Sequence, residues 1–175
     1  MSQTIGDIME RDAFTCRYDQ TLGEVVALFN ELGTSGKGTG GLAVVDDGRH
    51  VVGFISDGDI MKAVAAQKTR SIFGGGYANM VLYDNESFEE KARALKHRNV
   101  MELAVQKVLC ATADQTVGEI ADVLAKKKFK KVPVIDEDGR LIGAVTHVLL
   151  ADPAKGYGVS IDDMLAASAA QDKAA

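Results

Sequence analysis

Two rhythms of apolar and polar positions run along this chain, and they occur twice in the same order. The run Ala13-Phe14-Thr15-Cys16 predicts a short strand. Leu22, Val25, Val26, Phe29 and Leu32 then fall at helical spacing, and Thr21 with Glu24 forms a capping box at the helix start. Two further apolar runs follow, Leu42-Ala43-Val44-Val45 and Val51-Val52-Gly53-Phe54-Ile55. Between them, Asp46-Asp47-Gly48-Arg49 carries the polar, glycine-bearing chemistry of a hairpin turn. A last helix is predicted after Ser56. The second pass reads Val108 to Ala111, then Thr116 with Glu119 as the cap, then Val117, Ile120, Ala121 and Leu124 at helical spacing. It closes with Val132-Pro133-Val134-Ile135, the turn Asp136-Glu137-Asp138-Gly139, the run Leu141 to Val145 and a helix after Thr146.

The repetition is literal in places. Asp19-Gln20-Thr21-Leu22-Gly23-Glu24 returns as Asp114-Gln115-Thr116-Val117-Gly118-Glu119. A unit of roughly fifty residues is too small to bury a good core alone, so two copies should pack about a pseudo-twofold axis. The expected fold is α+β or α/β, two βαββα repeats with a helical insertion between them. A cleft between two such halves is a natural place for a small ligand. The expected boundaries are 5–64 for the first repeat, 65–99 for the connection, 100–152 for the second repeat and 153–175 for a tail with a short helix from Ile161 to Ala167. Two features break the symmetry. Five extra residues enlarge the glycine-rich stretch from Gly33 to Gly41, and the connection holds Gly74-Gly75-Gly76. The connection also predicts a helix capped by Ser87 and Glu90, with Phe88, Ala92 and Leu95 as its apolar stripe.

Composition narrows the function. Apolar residues make up 46% of the chain, enough for a packed core. The net charge of −5 argues against a general nucleic-acid binder. Two cysteines, Cys16 and Cys110, are too few for a disulfide framework, so a reducing cytoplasm is expected. The first residues lack a secretory pattern, and no stretch approaches the ~20 apolar residues of a membrane span. His50, His97 and His147 form no short metal-ligand cluster with each other or with the cysteines. Met61, Met80, Met101 and Met164 sit among apolar residues and read as packing. Gly36-Lys37-Gly38-Thr39-Gly40-Gly41 satisfies a dinucleotide fingerprint literally, but a helix precedes it and a strand follows, the reverse of what phosphate binding at a helix start requires. No nucleophile motif is present, and an enzyme is disfavoured.

The duplicated Asp-Gln-Thr before a capped helix, the apolar-Pro-apolar-apolar-Asp strand and the glycine-apolar-apolar-Ser/Thr ending together resemble a tandem pair of CBS (cystathionine-β-synthase-type) domains, a Bateman module. The resemblance implies paired βαββα units, a homodimer, and a non-catalytic role with no catalytic cofactor. It also implies an adenine nucleotide (AMP, ADP or ATP) as ligand and an unidentified regulated protein as partner. A Ser/Thr-x-x-Asp sequence holds ribose in that family, and here it matches Ser56-Asp57-Gly58-Asp59. The same four residues also read as a helix cap, and the two roles can coexist. The second copy has Thr146-His147-Val148-Leu149, without the acid. By the resemblance, Asp59 and Ser56 would be joined by Lys107, Val108, Leu109, Phe129, Lys130, Lys131 and Val132. Lys130 and Lys131 would meet phosphate, while Val108, Leu109 and Val132 would form the adenine slot together with backbone groups. Lys126, Lys127 and Lys128 read instead as a solvated helix end. The rival expectation is a protein-interaction module with vestigial clefts, working through the inserted helix and the tail.

Overall fold

The computed structural model describes residues 3–35, 40–65, 68–70, 81–83 and 88–150. The first repeat comprises β1 (Thr15–Arg17), α2 (Leu22–Thr34), β2 (Leu42–Val45), β3 (Val51–Ile55) and α3 (Asp57–Val64), preceded by a single turn of helix, α1 (Ile5–Ile8). The connection contains β4 (Lys68–Arg70), β5 (Val81–Tyr83) and α4 (Phe88–Lys96), and a 3-10 turn (Val100–Glu102) follows it. The second repeat follows as β6 (Ala111–Thr112), α5 (Val117–Lys127), β7 (Lys131–Ile135), β8 (Leu141–Thr146) and α6 (His147–Leu150). The expected strand-helix-strand-strand-helix order is observed twice. The first strands start later than expected. The glycine-rich residues 36–39, the triple glycine, Ser87 and the tail lie outside the described residues.

Each repeat builds a three-stranded sheet, in the orders β1-β2-β3 and β6-β7-β8, and β4 pairs with β5. The registers agree across the copies: Cys16 pairs in parallel with Val44, and Ala111 with Val134. The capping boxes predicted for α2 and α5 form, with Thr21 accepting from the Glu24 amide and Thr116 from the Glu119 amide. Helix α5 ends at Lys128 in the left-handed region (φ 56°).

The chain divides into two compact units. One comprises residues 1–13, 48–51 and 109–175; the other comprises 14–47 and 52–108. The sequence repeats are therefore not the compact units, because the short segment leading into each repeat belongs with the other one. In the first unit the Ile5 amide donates to the Gln115 carbonyl (2.8 Å) and the Val117 amide to the Gln3 carbonyl (3.1 Å). In the second, the Val100 amide donates to Gln20 (2.9 Å) and the Leu22 amide to Arg98 (2.8 Å). Both leaders end in a two-bond bridge, Glu10 with Ala144 and Val105 with Phe54. Each leader carries its own cap, Thr4 with Asp7 and Asn99 with Glu102. Each also fills a core. Ile5, Ile8 and Met9 join Ile120, Val132, Val134 and Val145, while Val100 and Ala104 join Leu22, Val25, Leu42 and Ile55. Fully burying a side chain such as Ile5 contributes roughly 1.5–3 kcal/mol, so the leaders are structural parts and not tails.

The hairpin turns are equivalent but not identical. Gly139 takes φ 82°, while its counterpart Arg49 takes φ 66° with a side chain attached, a conformation uncommon outside glycine. Within the first unit these turns face each other. The Leu141 amide donates to the Arg49 carbonyl (2.8 Å), and His50 bridges to Arg140.

Candidate functional site

The residues expected at the site fall into both units. Ser56, Asp59, Lys107 and Val108 belong to the second unit; Leu109, Phe129, Lys130, Lys131 and Val132 belong to the first. Each set is built by its own local structure.

At the head of α3, Ser56 is the N-cap and Asp59 the third helical residue. The Ser56 hydroxyl donates to Asp59 Oδ2 at 2.6 Å and the Ser56 amide to the same oxygen at 3.0 Å. The Asp59 amide returns a bond to Ser56 Oγ at 3.3 Å. Capping is thus realised, and it uses one carboxylate oxygen. The other, Oδ1, lies 3.8 Å from the ammonium of Lys62, one helical turn on. The Asp59 side chain keeps 25% of its surface exposed, while Lys62 is 83% exposed. Such an exposed cation is a weak competitor for that oxygen. The cap therefore holds a carboxylate in one orientation with an acceptor oxygen turned outward. Lys107 is exposed and Val108 half-buried. Val105, just before them, is bonded to Phe54 in the strand that leads into Ser56.

The equivalent position of the second repeat is built differently. The Leu149 amide donates to Thr146 Oγ1 at 3.3 Å, so the cap persists. Leu149 itself is 7% exposed and belongs to the packed interior. A hydrophobic anchor stands where the first repeat has its acid.

In the first unit, Lys130 lies between the end of α5 and the start of β7 and is exposed. Its carbonyl receives the His147 amide and ring Nδ1, both at 3.1 Å. Lys131 opens β7 opposite Thr146 and is half-buried. Burial pushes its pKa below the ordinary lysine value, and the negative charge of Glu10 opposes that shift. Phe129 is well exposed and Leu109 moderately so, both available as contact surface. Val132 corrects the expectation. Its side chain has no exposed surface and sits in the core, so it stands behind any slot and cannot line one. Alternation along β7 explains this: Val132 and Val134 face α5, and Lys131 faces the other way. Among the helix-end lysines, Lys126 pairs with Asp122 one turn back, as a solvated helix face predicts.

The sequence reading missed Glu10 and Lys62. Lys62 was legible as an i,i+3 partner of Asp59. Glu10 was not, because its proximity to Lys131 depends on the exchanged leader. Burial raises the Cys16 thiol to about 11 and pushes Cys110 upward as well, so neither is an activated nucleophile. Among the described residues no group of three or more His, Cys, Asp or Glu could hold a metal ion. No helix among them is long and apolar enough to cross a membrane.

The family model for the CBS domain matches residues 5–66. The crystal structure of CBSX2 from Arabidopsis thaliana, a CBS-pair protein solved in complex with AMP, superposes with a TM-score of 0.63 at 24% identity, covering 87% of this chain and 96% of that one. The chain has the fold of a CBS-domain pair, and its first repeat matches the CBS-domain family model. The CBS domain pair of protein MJ0100, solved with 5-methylthioadenosine and S-adenosyl-L-methionine, also superposes at 0.63, with 20% identity over 89% of this chain and 98% of that one. An uncharacterized protein of Methanocaldococcus jannaschii, MJ1426, is 29% identical over 82% of this chain and 86% of its own length. The chain spans less than two thirds of the length of several other curated relatives. A second family model, SpoIVB peptidase S55, matches residues 127–165, which include the β7–β8 hairpin of the second repeat.

Proposed function

We propose that this CBS pair is a non-catalytic regulatory module that binds an adenosine-bearing ligand, AMP, ADP or ATP, and reports its occupancy to a partner protein. The observation that carries the reading is the head of α3. A ribose diol presents two neighbouring donors, and a carboxylate accepts from both. Asp59 offers such a group already oriented by Ser56, which lowers the ordering cost of binding. In this reading Asp59 and Ser56 hold ribose, Lys130 and Lys131 neutralise phosphate, and Val108, Leu109, Phe129 and Lys107 contribute contact surface. The AMP complex of CBSX2 and the adenosine ligands of MJ0100 support the ligand class. Homodimerisation and relay to a partner belong to the same proposal. Native mass spectrometry reads ligand mass and subunit number together.

Calorimetry with AMP, ADP, ATP, S-adenosylmethionine and 5′-methylthioadenosine tests the ligand class. A binder present at a hundredfold excess over Kd should stabilise the fold by about 2.7 kcal/mol. Two substitutions separate capping from binding. Asp59→Asn keeps an oxygen for the cap but loses the charge, so thermal stability should hold while affinity falls about tenfold or more. Asp59→Ala should lose affinity and also about 1 kcal/mol of stability. Wild-type affinity in Asp59→Asn would remove Asp59 from the ligand. Absence of heat with all five compounds would end the adenosine reading.

A further inference from the structure

Glu10 and Lys131 share one face of the first unit's sheet, with β8 between them. Lys131 is the cross-strand partner of Thr146, and Glu10 is the bridge partner of Ala144 on the opposite edge of β8. Opposed residues project to the same side, as do residues two apart along a strand, so Glu10, Ala144, Thr146 and Lys131 form one diagonal. The backbone of Glu10 is fixed by reciprocal bonds with Ala144, each 2.9 Å. Gly143 permits that approach, because a Cβ there would stand 2.7 Å from the Glu10 carbonyl oxygen. The Glu10 side chain is exposed and takes no part in the bridge, so its charge is free of a structural duty.

The Lys131 ammonium is half-buried and has no hydrogen-bond or ion-pair partner among the described residues. Its charged and titratable surroundings are Glu10 from the leader, Lys130 beside it, and His147, whose ring is engaged by the Lys130 carbonyl. A cation without a direct partner attracts an anion. A carboxylate carried on the same face, out of contact, opposes that anion more strongly as the anion's charge rises.

We propose that Glu10 sets the ligand charge this site accepts, favouring neutral or singly phosphorylated adenosine compounds over triphosphates. The inference rests on the adenosine reading above and on Lys131 as the phosphate contact. The test is calorimetry on the full chain at low salt, with adenosine, AMP and ATP, comparing wild type with Glu10→Gln. The expected result is unchanged adenosine affinity, AMP tightened about threefold and ATP tightened about tenfold. Equal change for adenosine and ATP, or no change for ATP, overturns the role of Glu10 while leaving the adenosine reading standing. A wild-type protein that binds none of the three overturns both. An independent readout needs no ligand: NMR titration of the Lys131 side chain should move further down in Glu10→Gln, and an unmoved titration also overturns the inference.

Discussion

The heads of the two closing helices start from the same hydroxyl cap and end in opposite chemistries. Ser56 caps α3 and is answered by the partly exposed carboxylate of Asp59; Thr146 caps α6 and is followed by the buried Leu149. A duplicated frame can therefore keep its backbone hydrogen bonds in both copies while dividing the side-chain work. One copy turns a polar group outward, and the other spends the same position on packing. The second copy cannot be restored by a single exchange, because its third helical residue has become part of a core.

The largest expected effect follows from that point. Leu149→Asp should cost about 2–5 kcal/mol, as truncation of a buried leucine does, and should not create a second ligand site. Urea unfolding measures the loss, and an Asp variant of wild-type stability would show that Leu149 is not an anchor.

A second comparison concerns the glycines that admit the leaders. A Cβ on Gly143 would meet the Glu10 carbonyl oxygen at 2.7 Å and Met9 Sδ at 2.9 Å. At its counterpart Gly53 the nearest atom is Ala104 Cβ at 3.3 Å. Gly143→Ala should therefore destabilise by about 1–3 kcal/mol and Gly53→Ala by clearly less. Equal melting temperatures for the two variants would mean that the leader docks less tightly than its geometry indicates.

The smallest expected effect separates α2 from α5. Gly23 and Gly118 occupy the same position in the two helices, but a Cβ on Gly23 would lie 2.9 Å from the Lys96 carbonyl oxygen, and one on Gly118 would meet nothing within 4 Å. Gly118→Ala should stabilise by about 0.5–1 kcal/mol through helix propensity, whereas Gly23→Ala should destabilise. Thermal shifts of opposite sign would confirm that α4 is seated on α2 at Gly23. Shifts of the same sign would contradict it.

Much of this was legible in the residues. The order of elements, both capping boxes, the hairpin turns and the difference between Asp59 and Leu149 follow from local pattern, because caps and turns are satisfied by residues three or four apart. The stripe of α4 was half legible: Leu95 is buried and Ala92 packs beside it, but Phe88 is 56% exposed. The leaders were not legible at all. Gln3–Glu10 and Arg98–Val105 are too short to show a period, and their long-range hydrogen bonds run more than a hundred positions forward, for the first, or about fifty to eighty positions back, for the second.

The amino-acid order by itself determined two copies of one βαββα pattern, their caps, and the Ser56-x-x-Asp59 head of the first repeat's closing helix, since each depends on neighbours along the chain. The tertiary structure alone decided which leader completes which core. It alone removed Val132 from the surface, and it alone set Glu10 on the same face as Lys131. The physical reason is that burial and the charge surrounding a side chain are properties of everything packed against it, and most of that material is distant in sequence.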